Sequence, residues 1–465
     1  MALTHNQRLE AAIEASPVST LALGVLAWLF PPGSFNGLFG EYAPNQWDRK
    51  LTIGAITWLM LEVVTGSRRS VHAAYQADIR SAAPTLQASY QALYQKYGRL
   101  ETNYSTAVVR ASAQRSVMLL TAAMVMRPEI FGWEAYRIRI IDGTDLGGTE
   151  HRLGVLRTIR SAGLPGRFVV CYEPAVGLVT DVVASEDAYT SERVMVSEMI
   201  DRGRPNDLYV CDRFYCTADI LFRLCGARSF FVIRHFDRIR FHVVKDLGEK
   251  GRVPTGSVAE QVIDVENAAT GDRQRMRLIT LTLDTPTRDG DREIRLLTNL
   301  KRVSALRICE LYRSRWTIEG HFSFLKNELD GEVASLGHPR AAIFAMCMAM
   351  VAGNALAVVK RALVKTHGDE LCNRLSGYYL ADELEKNTRA VDQLVGEAGW
   401  SELASQPATT FWTWCMEVAS QINVRAFEKT KKRGPKKPPP KRLSGTGKPH
   451  CSTHRLLNQN SQNKC

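Results

Sequence analysis

Between Tyr136 and Arg234 the sequence changes its hydrophobic period several times, and this stretch constrains the fold more than any other. Arg137–Ile141 alternates basic and apolar residues and stops at Asp142-Gly143-Thr144. Arg167–Tyr172 and Leu178–Ala184 are rich in β-formers and join through Pro174 and Gly177, as a hairpin would. Ser191–Arg202 has helical character and carries Glu192 and Glu198. Leu208–Cys211 is a short apolar strand ending at Asp212; a helix follows from about Thr217, then a buried strand, Phe230–Arg234. The predicted order is β-β-β-α-β-α-β. Strands interleaved with helices in this way point to an α/β architecture, a sheet with helices packed against it.

The flanks read differently. Residues 1–130 are predicted to be mostly helical. Asp48–Val64 has near-helical apolar spacing, and Ser67 is a candidate cap for a helix bearing Arg68 and Arg69. A further basic helix, Ser105–Val117, carries Arg110 and Arg115. Basic helices are a common DNA-reading device, although charged solvent-facing helices are commoner still. Residues 237–300 hold apolar runs at Val243–Val244, Val262–Val265, Met276–Leu283 and Ile294–Leu297, separated by Gly- and Asp-rich turns, and read as a β-rich insertion. Helix resumes near Ser304 and runs past Lys326 to about Leu329, with more helices over 338–426.

Two apolar runs raise the question of a membrane. Val18–Phe30 is short, ends at Pro31-Pro32 and follows Glu10 and Glu14 rather than a basic leader. Ala341–Val359 is longer, but it is built from Ala, Met and Gly around Asn354, as a helix buried on all sides also is. The ten cysteines include no C-x-x-C pair and several sit in apolar stretches, which predicts reduced thiols in the cytoplasm. Cys451 and His454 lie near each other without a second pair to complete a metal site. Nine Lys or Arg and no acid fall between Lys429 and Lys448, against a net formal charge of +12 for the whole chain. Charge is thus concentrated in a Lys/Pro-rich tail that cannot build a core, and a polyanionic partner is expected, nucleic acid ahead of a membrane surface.

Two carboxylates, Asp142 and Asp212, stand at the carboxyl ends of predicted strands. A rigid sheet edge suits hard oxygen ligands for divalent metal ions in phosphoryl transfer. Taken singly, each is better read as a turn or N-cap aspartate. Asp145, just past its strand, and Asp207, at the wrong end of its strand, are nearby decoys. A third element changes the balance. On the predicted helix Leu311–Leu329, residues Tyr312, Arg315, Glu319 and Lys326 fall in one narrow wedge, while Ile318, Phe322 and Leu325 lie to its side. A lone charged stripe with Arg315–Glu319 pairing would be a solvated face.

The spacing Tyr312-x2-Arg315-x3-Glu319-x6-Lys326 resembles, without a gap, the Tyr-Arg-Glu-Lys signature of insertion-sequence-four-type DDE transposases. Asp142-Gly143-Thr144 resembles that family's first-Asp motif, and Asp212-Arg213-Phe214-Tyr215 its second, in the same order and with a long insertion before the Glu. The likeness covers roughly residues 130–345 and is looser outside them. It implies a ribonuclease-H-like mixed-sheet catalytic core with a β-rich insertion, flanked by helical amino- and carboxy-terminal regions. The implied division is 1–130 for transposon-end DNA binding, 131–236 with 301–363 for catalysis, 237–300 for the insertion, 364–428 for a helical region and 429–465 for a basic disordered tail. Asp142, Asp212 and Glu319 would hold two Mg²⁺ (or Mn²⁺) ions and carry catalysis. Tyr312, Arg315, Lys326 and Arg213 would touch DNA phosphates. The implied reaction is cut-and-paste transposition on terminal inverted repeats and target DNA by a homodimer, in the bacterial cytoplasm at the nucleoid. Some relatives stack a flipped base on a Trp of the insertion; here 237–300 has no Trp and Phe241 is its only aromatic. The alternatives are a metal nuclease of the same core without strand transfer, or a catalytically silent DNA-binding derivative.

Overall fold

The computed structural model describes residues 7–81, 83–124, 133–150, 153–159, 161–287, 290–430 and 450–462. The amino-terminal part is helical: α1 (Gln7–Ala15), α2 (Pro17–Leu29), α3 (Ser34–Tyr42), α4 (Ile53–Val64), α5 (Val71–Ile79), α6 (Tyr90–Arg99) and α7 (Thr102–Ala122). Several helices begin where a side-chain oxygen satisfies an orphan backbone N–H: Thr52, Ser70 and Ser89 each accept from the residue three positions on. The cap expected at Ser67 is therefore found at Ser70, and Ser67 instead meets the Thr65 hydroxyl at 3.2 Å. The helix expected from Asp48 starts at Ile53, because Asp48 sits outside it and accepts the Ile53 N–H at 2.6 Å.

Next come β1 (Arg137–Asp145), β2 (Ala162–Leu164), β3 (Arg167–Glu173), β4 (Leu178–Ser185), α8 (Glu192–Asp201), β5 (Asp207–Cys211), α9 (Ala218–Gly226) and β6 (Phe230–Arg234). The segment 241–298 forms β7 (Phe241–Val253), β8 (Gly256–Glu266), β9 (Arg273–Leu283) and β10 (Glu293–Thr298). These strands do not fold apart from the rest. β10 pairs antiparallel with β6, so one nine-stranded sheet runs β4-β3-β1-β5-β6-β10-β9-β8-β7. Within this sheet, among the described residues, only β1, β5 and β6 are parallel neighbours.

The helices α10 (Ala305–Arg313), α11 (Trp316–Asn327), α12 (Pro339–His367), α13 (Gly377–Ala404) and α14 (Ala408–Ser420) follow. Alternation along the strands separates two apolar layers. Ile138, Ile140, Leu208 and Val210 share a core with α2, α4, α7, α12, α13 and α14, whereas Ile141, Tyr209 and Cys211 face α8 and α9. By length and composition α12 could cross a membrane, yet 94% of its most apolar window is buried inside the molecule. Arg110 and Arg115, read from the sequence as belonging to a DNA-reading or a solvent-facing helix, turn inward. Arg110 donates to the Val182 carbonyl at 3.1 Å, and Arg115 donates to the Trp28 carbonyl at 2.8 Å while lying over the Trp28 ring. They fasten α7 to β4 and α2.

The expectation of a disordered tail fails at 450–462, while 431–449 lies outside the described residues. There β11 (His450–Ser452) pairs in parallel with β2 and leads into α15 (Thr453–Gln462). Asp187 accepts from both Ser452 (2.7 Å) and Arg455 (2.8 Å), which anchors the segment.

Candidate active site

β1 runs four residues past its predicted end because its two neighbours release it at different points. Parallel pairing with β5 stops at Ile141 opposite Cys211, but antiparallel pairing with β3 continues through Asp142 opposite Val170 to Asp145 opposite Arg167. Asp142 and Asp212 are thus the next residues after the last register pair of two adjacent parallel strands, which lie about 4.8 Å apart. Alternation turns Asp142 to the same side as Ile138 and Ile140, where α11 and α12 pack, and Gly143 to the α8 side. Asp142 accepts the Gly143 N–H at 3.0 Å. Asp212 accepts the Phe214 N–H at 2.8 Å and caps the short turn Arg213–Tyr215, so it does serve as a cap.

The predicted continuous helix Leu311–Leu329 is two helices. At the join the N–H groups of Ser314 and Arg315 reach back three residues, to Leu311 and Tyr312, and the Ser314 hydroxyl donates to the Leu311 carbonyl at 2.7 Å. This tightened turn places Arg315 at the junction. Its guanidinium donates to Asp142 at 3.1 Å and to Glu319 at 2.7 Å, joining a carboxylate of β1 to one of α11. Tyr312 is buried. Lys326 donates to the Asp145 carbonyl at 2.9 Å and pairs with Glu332 at 2.7 Å. Of the four residues expected to touch DNA, Arg213 alone is exposed. The decoys are occupied elsewhere: Asp145 holds Arg167 at 2.6 Å, and Asp207 holds Arg137 at 2.7 Å and Arg139 at 3.2 Å.

Burial pushes the Asp142 carboxyl up to about 6; Arg315 opposes the rise, and the charges of Asp212 and Glu319 add to it. A cation would offset the negative charge of a carboxylate at a partly desolvated sheet edge. Carboxylate oxygens suit Mg²⁺ or Mn²⁺, and Arg315 provides compensating positive charge in this arrangement. Among the described residues no three His, Cys, Asp or Glu are already drawn together around one point. A cleft of about 1130 Å³ lies at the other end of the strands, around Arg137, Arg139, Asp181 and Asp207. Asp142, Asp212 and Glu319 lie outside it.

One partnership around the site escapes sequence reading. Glu192, at the start of α8, accepts the Tyr215 hydroxyl at 2.8 Å and lies 3.9 Å from Arg167. Burial raises its carboxyl, against the opposing pull of Tyr215 and Arg167. The available signal was the glycine at 143: a Cβ there would overlap the Glu192 carboxyl.

Residues 133–353 match the model of the transposase DDE domain. The chain is 28% identical over 162 residues to the "Probable transposase for insertion sequence element IS5377" of Geobacillus stearothermophilus, covering 35% of this chain and 40% of that protein. It is 31% identical over 121 residues to y4zB of Sinorhizobium fredii, also named as a transposase, covering 26% and 33%. The alignments thus span less than half the length of these curated relatives. Among solved structures it is similar to the piggyBac transposase in a synaptic complex with hairpin DNA, at 8% identity and a TM-score of 0.38 over 90% of this chain and 86% of that one.

Proposed function

We propose that this chain is a DNA transposase that cuts at transposon ends and transfers the freed strand to target DNA. The observation that carries the reading is the Arg315 guanidinium joining Asp142 to Glu319 inside the segment that matches the transposase DDE domain. The core would be ribonuclease-H-like, with an insertion-sequence-four-type Tyr-Arg-Glu-Lys signature. Two Mg²⁺ or Mn²⁺ ions held by Asp142, Asp212 and Glu319 would supply Lewis acidity and an activated water for in-line displacement at phosphorus. Arg213 stands open to a phosphate. Tyr312, Arg315 and Lys326 would meet phosphates only by exchanging present protein partners for DNA oxygens. Residues 1–130 would recognise terminal inverted repeats, and two copies of the chain would act together on paired ends at the bacterial nucleoid.

The test is cleavage of a labelled DNA carrying the element's own ends, with Mg²⁺ or Mn²⁺, by wild type and Glu319→Ala. The expected result is free 3′-OH ends and joined products from wild type, with the variant binding DNA but cutting at least a thousandfold more slowly. Equal cutting by the variant would remove Glu319 from the site. Cutting without joining would leave a nuclease.

A further inference from the structure

Asp142 and Asp212 come from different strands, so their separation depends on whatever fixes β1 against the turn after β5. We propose that Glu192 is the positioning residue that fixes it, a proposal resting on the reading of Asp142 and Asp212 as metal ligands. Gly143 faces away from those ligands, toward α8, and its missing side chain leaves the place into which the Glu192 carboxyl fits. The carboxyl therefore lies against the backbone of β1 directly behind Asp142. Its Oε2 accepts the hydroxyl of Tyr215, a fully buried residue that closes the turn capped by Asp212. Arg167, 3.9 Å from Oε1, also grips Asp145 on β1, and Arg193, the next residue of α8, donates to the Phe214 carbonyl at 2.6 Å. The first turn of α8 thus clasps both ligand-bearing segments from behind. A glutamate in the first turn of a helix is favourable by itself. That role alone needs neither a glycine at 143 nor a buried tyrosine hydroxyl, and it would not affect metal affinity.

The experiment measures Mn²⁺ binding to the full chain without DNA by electron paramagnetic resonance. It compares wild type, Asp142→Asn, Glu192→Ala, Glu192→Gln, Tyr215→Phe and the double variant Glu192→Ala/Tyr215→Phe. Glu192→Ala and Tyr215→Phe are each expected to weaken Mn²⁺ binding at least fivefold. The double variant should be no weaker than Glu192→Ala alone, because both break one connection. Glu192→Gln, which keeps an acceptor for Tyr215, should recover part of the affinity. Wild-type affinity in a folded Glu192→Ala, or losses that multiply in the double variant, would overturn the proposal. Should Glu192→Ala lose the wild-type circular dichroism, Tyr215→Phe decides the matter, and unchanged affinity there overturns it. Failure of the underlying reading looks different: wild type itself would then bind no Mn²⁺ that Asp142→Asn removes, and both ideas fall together.

Discussion

Asp142 carries an opposition between fold and function that one side chain makes measurable. Its carboxyl is raised from 3.8 to about 6, chiefly by burial, and that shift is net of the Arg315 ion pair. A carboxyl raised on folding stabilises the folded chain fully below its unfolded value, and loses that contribution as pH climbs through about 6. At pH 7.5 the ionised group therefore weakens the metal-free fold, by at most roughly 3 kcal/mol. Asp142→Asn is expected to raise the urea midpoint of the metal-free protein at pH 7.5, with the gain vanishing toward pH 4. A variant less stable than wild type at pH 7.5 would show that the burial is not felt. The same carboxyl must ionise to hold a metal, so the Mg²⁺ concentration that half-saturates cleavage should rise as pH falls through about 6, as Mg²⁺ titrations at several pH values would show. That Asp142 ends up beside Asp212 was readable from two strand ends. That Arg315 turns inward was not, because it depends on the helix break at Ser314, where a serine hydroxyl competes for a helical carbonyl.

At the scale of elements, the longer strands were readable along the chain from apolar or alternating runs bounded by turn residues, whereas the three-residue β2 was not. What was also not readable is what each apolar helix touches. Asn354 looks in the sequence like an interruption of α12. In the fold it is fully buried, accepts the Val179 N–H at 2.9 Å, and donates to the Val179 carbonyl at 3.0 Å and the Ser112 hydroxyl at 2.9 Å. Val179 lies beside the slip in register between β3 and β4, on the edge strand of the sheet, and a side-chain amide takes up its backbone N–H and carbonyl. No local pattern could reveal this, since Val179 lies 175 residues from Asn354 and Ser112 lies 242 away. Asn354→Leu leaves the Val179 peptide groups buried without partners and should destabilise the protein by about 2–5 kcal/mol, read from urea unfolding. An unchanged midpoint would mean that the bulge finds other partners.

At the scale of the whole molecule, charge and structure divide the carboxy terminus differently. Nine of the basic residues lie between Lys429 and Lys448, and composition alone reads everything from there on as a tail. Yet 450–462 docks back on the folded body: three residues pair with β2, and two side chains meet on Asp187. A three-residue strand carries almost no periodic signal, and its partner lies far away in sequence, so composition prevailed in the sequence reading. This division decides how the basic run must be tested. Truncation at Thr430 would remove the charge and the docked segment together, and its effects could not be apportioned. Replacing the nine Lys and Arg by Gln removes charge alone and leaves Ser452 and Arg455 to hold Asp187. If the run contacts DNA, each lost phosphate contact lowers the slope of log affinity against log salt by about 0.9, so nonspecific duplex binding should become flatter by up to ~8. Cleavage position on a specific end should stay where it is, because the proposed metal ligands lie on β1, just after β5 and on α11, and the proposed end-recognition region is 1–130, all outside the basic run. An unchanged salt slope would remove the basic run from the DNA-bound state and return the electrostatic grip to the folded body.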